Sequence, residues 1–127
     1  MTAITAEQVR ETLVAIVEEY GEDRVYDGST AATYATPDTA LTEDPQPMCI
    51  VGHVLHRLAP DFFRDLAAVE GVYSIAYDLY TLQNDPGLTT TNFPDMDARA
   101  VRGLIRVQLS HDIGRPWGDF VGVFDHE

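Results

Sequence analysis

Lysine is absent from this chain, and all eight basic residues are arginine. Cysteine occurs once, at Cys49, which excludes an intrachain disulfide and any Cys₂His₂ or Cys₄ zinc site. No apolar run approaches the roughly 20 residues that span a bilayer. The first residues, Met1-Thr2-Ala3-Ile4-Thr5, lack the basic region and apolar stretch of a signal peptide. Positive charge is scarce overall: 21 acids against eight arginines give a net charge of −13. Such a surface repels nucleic acid and anionic membrane, so neither is expected as a direct partner. A cytoplasmic protein is the expectation, and no cofactor is implied. Phosphate-cradling Gly loops, His-Glu-x-x-His, Gly-x-Ser-x-Gly and Asp-x-Asp-x-Asp loops are all missing.

What is present is a globular composition, 45% hydrophobic over 127 residues, the size of one domain. The acidity is lopsided. Residues 1–47 carry ten acids and two arginines, for −8 of the −13. The acidic pole comprises Glu7, Glu11, Glu18, Glu19, Glu22, Asp23 and Asp27. It contains no block of five consecutive acids, so it is not a disordered acidic tail.

Hydrophobic spacing predicts a mainly α single domain, 1–127, of five to six helices. Thr5 and Gln8 have the spacing of a capping box. Val9, Leu13, Ile16, Val17 and Tyr20 then form one helical stripe, and Gly21 is placed to end it with a left-handed residue. Residues 22–47 hold Pro37, Pro45 and Pro47 and read as a long irregular loop. It has room for a short β-hairpin pairing Val25-Tyr26 with Thr33-Tyr34. A second helix is expected from Pro47 to about Ala59, with Pro in its first turn. A third runs from Pro60 and stops at Gly71. Val72, Ile75, Ala76, Leu79 and Leu82 fit a fourth, stopped by Asn84-Asp85-Pro86-Gly87, while Tyr73, Tyr77 and Tyr80 would also suit a strand. Asp95 is placed to cap a strong helix with Val101, Leu104, Ile105, Gln108 and Leu109 facing inward, ending at Gly114. Pro116 starts a last short helix with Trp117 as an aromatic anchor.

Three features carry candidate chemistry. Cys49, His53 and His56 lie at about 0°, 40° and 340° on the second helix, one face with Gly52. Imidazole and thiolate suit a transition metal, and a thiolate beside a histidine base suits nucleophilic catalysis. The plainer reading is a small-residue face on which Cys49 and Gly52 admit a neighbouring helix, with the two histidines partly exposed or hydrogen-bonded. The second feature is Arg99, Arg102 and Arg106 at i, i+3 and i+7, an exposed stripe beside Gly103 and Ser110. It could meet a partner's acidic patch or a second copy's acidic pole, or simply pair with acids of its own chain. The third is the acidic pole, which serves solubility or binds a basic surface, in the extreme by imitating a phosphate array.

Pro47-Met48-Cys49-Ile50-Val51-Gly52-His53-Val54-Leu55, preceded by Val25-Tyr26 and Tyr34, resembles a segment of small uncharacterised actinobacterial and actinophage proteins. Gln108-x₃-Asp112-x-Gly114-x-Pro116-Trp117 is similar to their C-terminal pattern. The resemblance implies a GC-rich source and no known catalytic residues. A second Cys of many relatives, near Tyr34, is absent; Ala32 and Thr33 stand there.

Together these readings predict a small acidic, non-enzymatic interaction protein, phage-encoded and binding a host protein, as a monomer or homodimer. Its binding surface would be the acidic N-terminal region and the 27–47 loop, with Glu11, Glu18, Glu19, Glu22, Asp23, Arg99, Arg102 and Arg106 as the partner-binding residues. The alternative is a metal-binding protein or Cys-dependent enzyme built on Cys49, His53 and His56.

Overall fold

A computed structural model describes residues 3–24, 34–36, 38–73, 94–112 and 116–122. Among them lie four α-helices, α1 (Ala6–Tyr20), α2 (Ile50–Leu58), α3 (Pro60–Tyr73) and α4 (Ala98–Asp112), followed by a 3₁₀ helix, Trp117–Phe120. The protein is mainly helical, and no strand longer than an isolated bridge occurs among the described residues. The proposed Val25-Tyr26/Thr33-Tyr34 hairpin and most of the helix expected over 72–82 lie outside these residues.

The first helix follows from its local sequence. Gln8 N–H donates to Thr5 Oγ1 at 3.1 Å, and Thr5 N–H donates back to Gln8 Oε1 at 2.9 Å. This reciprocal box satisfies donors that a helix start leaves orphaned. Ala6, Val9, Leu13 and Ile16 are buried as one stripe. Gly21 ends the helix at φ +102°, with its N–H on the Val17 carbonyl at 2.8 Å. Its ψ of 139° is not that of a left-handed helical residue, and a turn follows in which Arg24 N–H donates to the Gly21 carbonyl at 3.3 Å. Tyr20 departs from the expected stripe: it is 39% exposed.

The second helix starts later than the Pro47 expectation. Pro47 pairs antiparallel with Ala35, Met48 N–H donates to the Tyr34 carbonyl, and Thr36 N–H donates to the Gln46 carbonyl. Residues 46–48 are thus spent on extended pairing, and Cys49 becomes the N-cap. The close neighbour that Gly52 admits is the backbone of Tyr34, not another helix. A Cβ at residue 52 would lie 2.1 Å from the Tyr34 carbonyl oxygen.

Gly71 does not stop α3, which continues to Tyr73. The glycine serves packing instead: a Cβ there would come within 2.7 Å of the Leu41 side chain. Asp95 likewise does not cap α4. It is part of a parallel bridge in which Ile4 N–H donates to the Asp95 carbonyl and Asp97 N–H to the Ile4 carbonyl. The helix begins beyond Asp97, whose carbonyl accepts from Val101 N–H.

One buried cluster joins these elements, with Leu13, Ile16, Ile50, Leu55, Phe63, Leu66, Leu104 and Trp117 among its largest members. Helix α2 is central, touching α1, α3 and α4. Residues Ile50 through Leu55 are consequently buried all the way round, Gly52 and His53 included. On α4, Val101 and Leu104 face inward as expected. Gly103 is also buried, away from the arginine stripe, and Ile105 and Gln108 are only half-buried. Among the described residues no helix is long and apolar enough to cross a membrane.

Candidate functional site

The residues grouped by the sequence on α2 have separate surroundings. Cys49 is buried, and its Sγ accepts the Gly52 N–H at 3.3 Å, which makes it the helix cap. His53 is 5% exposed and sits in an aromatic cluster, its ring 4.7 Å from Tyr20 and 5.6 Å from Trp117. His56 is half-buried with its ring edge-on to Phe63 at 5.1 Å. Among the described residues no group of three His, Cys, Asp or Glu side chains could hold a metal ion.

Burial holds the His53 imidazole near pKa 4, well below the usual 6.5; Arg57, Arg24 and His56 add to this, and Glu19 opposes it. A charged imidazole would lose its hydration and face the Arg57 and Arg24 guanidiniums, so the ring stays neutral at ordinary pH. His56 is partly exposed, whereas His53 is buried among aromatic rings. One helix's periodicity does not reveal that neighbours cover both of its sides.

The Tyr20–His53–Trp117 cluster is assembled by three segments. Trp117 N–H donates to the Arg24 carbonyl and Gly118 N–H to the Glu22 carbonyl, both at 2.8 Å, clamping the 3₁₀ helix onto the chain after α1. Gly118 permits this approach, since a Cβ would meet the Glu22 backbone oxygen at 3.0 Å. Trp117 and Phe120 are each 2% exposed, as befits the expected anchor. Over the cluster lies the Arg24 guanidinium, 5.4 Å from the Tyr20 ring centre and 5.0 Å from that of Trp117. Both distances are within the range of cation–π attraction.

The acidic pole is laid out on the surface along α1 and the turn after it. Glu7, Glu11, Glu18, Glu19, Glu22 and Asp23 are all exposed. At 100° per residue Glu7, Glu11 and Glu18 fall within about 40° of one another, so they form one column along α1. Glu19 stands beside it and makes an ion pair with Arg57 of α2. Asp27 lies outside the described residues. Arg99, Arg102 and Arg106 are exposed on α4 as the spacing requires, but Arg99 and Arg106 are already engaged and neither is without a partner.

Sequence reasoning missed Arg24 and the exposure of Tyr20. Their i, i+4 spacing was a usable signal, obscured because Gly21 breaks the helix between them. Comparison with protein-family models, curated proteins and solved structures finds no match for this chain.

Proposed function

We propose that this chain is a non-enzymatic, acidic protein-binding protein whose interface is the exposed face of α1 and the turn that follows it. The observation that carries this reading is the Glu7–Glu11–Glu18 column running into exposed Glu22 and Asp23, in a chain of net charge −13. The complementary partner is a protein with a basic surface. The resemblance of the Pro47–Leu55 segment is to actinobacterial and actinophage proteins alike, and the source taken in this reading is a phage, with a host protein as the partner.

Charge density argues for a protein-shaped mode of binding over DNA mimicry. Glu7 and Glu18 are about 16 Å apart along the helix axis. Duplex DNA carries roughly ten phosphates in that length, one per about 1.7 Å. The column supplies three carboxylates, and exposed Arg10 dilutes the same helix. Self-association is opposed, because two copies would each bring thirteen negative charges. The protein is accordingly read as a monomer.

The test is affinity capture from an actinobacterial lysate with three baits: wild type, Glu7→Gln/Glu11→Gln/Glu18→Gln, and Arg99→Gln/Arg102→Gln/Arg106→Gln. A protein of basic pI retained by the first and third baits and lost by the second supports the reading. Equal retention by all three, or no retained protein, contradicts it.

A further inference from the structure

A guanidinium is already seated on an aromatic pair inside the acidic pole. Arg24 covers Tyr20 and Trp117 at 5.4 and 5.0 Å from an exposed position, and Trp117 is buried with Arg24 in place. Tyr20 is one of two large hydrophobic residues exposed among those described, the other being Leu41. Its place at the end of α1 is directly followed by Glu22 and Asp23, both exposed, and preceded by Glu18 and Glu19. Aromatic faces rimmed by carboxylates select a flat, weakly hydrated cation, and arginine fits that description better than lysine.

Resting on the protein-binding reading above, we propose that the Tyr20–Trp117 pair is a receptor for an arginine side chain of the basic partner, occupied in the free protein by Arg24. Arg24 is an internal competitor that the partner's arginine displaces. The bond that clamps Trp117 here comes from the Arg24 carbonyl, not the guanidinium, so displacing the side chain leaves that bond in place. The carboxylates draw the partner in through long-range attraction, and the ring pair determines which cation is accepted. Tyrosine and arginine are both enriched where interfaces concentrate their binding energy.

The experiment uses hexa-arginine and hexalysine peptides as probes, titrated against the full chain at low salt and followed by calorimetry. Hexa-arginine should bind more tightly than hexalysine. Arg24→Ala should tighten hexa-arginine binding by about two- to fivefold, the size of one exposed cation–π contact. Arg10→Ala makes the same change in net charge about 15 Å away on α1, and it should produce a smaller gain. Tyr20→Leu should remove the preference for arginine. Equal binding of the two peptides, or equal gains from Arg24→Ala and Arg10→Ala, would overturn the proposal. Should Tyr20→Leu fail to fold, the two arginine variants decide it alone. Failure here with column-dependent capture still intact would leave acidic-surface binding standing, so the two readings fail separately.

Discussion

Replacing Gly52 by alanine sets two physical expectations against each other with opposite signs. In an unobstructed helix, Gly→Ala stabilises by about 1 kcal/mol through backbone entropy and propensity. Here the added Cβ would lie 2.1 Å from the Tyr34 carbonyl oxygen, 2.9 Å from its carbon and 3.1 Å from its Cα. All three are backbone atoms, so no flexible side chain can swing aside. Either α2 shifts within the core or the Tyr34–Ala35 segment lifts, and lifting breaks the Met48 N–H bond to Tyr34 and the Ala35–Pro47 bridge. Overpacking of a buried site costs about 1–3 kcal/mol, and each lost buried hydrogen bond about 1 kcal/mol more. After subtracting the propensity gain, a net loss of about 2 kcal/mol is expected. With a urea m-value of about 2 kcal/mol/M, the unfolding midpoint should fall by roughly 1 M. Urea denaturation followed by circular dichroism measures it. An alanine variant as stable as wild type, or more stable, would refute the placement of Tyr34 against α2.

Three further outcomes follow from local contacts. Because the folded pKa of His53 is depressed from 6.5 to about 4, its contribution is full above about pH 6.5 and is lost as pH falls toward 4. The loss amounts to about 3 kcal/mol, read as the difference between wild type and His53→Gln in midpoints measured across that range, which also cancels the carboxylate titrations. Thr5→Ala removes the acceptor for Gln8 N–H and should cost about 1 kcal/mol in thermal unfolding. Tyr34→Phe deletes the hydroxyl that accepts from Gln108 Nε2, with an expected loss of about 1 kcal/mol by the same assay.

The parts of the fold legible in sequence are those decided within one turn of helix. Thr5, Gln8, the Val9–Leu13–Ile16 stripe and Gly21 together mark the bounds and inward face of α1 within its own segment. The misplaced boundaries each depend on a distant segment. Pro47 is compatible with a helical first turn, but Ala35 claims it for pairing. Gly71 has the composition of a stop, but its role is to make room for Leu41. Asp95 resembles a cap, but Ile4 takes its backbone. The candidate site divides in the same way. Exposure of the acidic column and of Arg99, Arg102 and Arg106 follows from helical period alone. Burial of His53 does not, because it results from α2 being covered on both sides by α1, Trp117 and the other helices. The seat of Arg24 is likewise formed by residues 20, 24 and 117 meeting across a glycine turn and most of the chain's length.

The central claim is that the α1 face, continued by Tyr20 and Arg24, is the surface a basic protein occupies. Amide chemical-shift mapping of the ¹⁵N-labelled protein with the partner isolated in the capture experiment tests it most directly. Perturbations should concentrate at Glu7, Glu11, Glu18 and residues 20–24. Perturbations centred on Arg99, Arg102 and Arg106, with the α1 face unchanged, would contradict it.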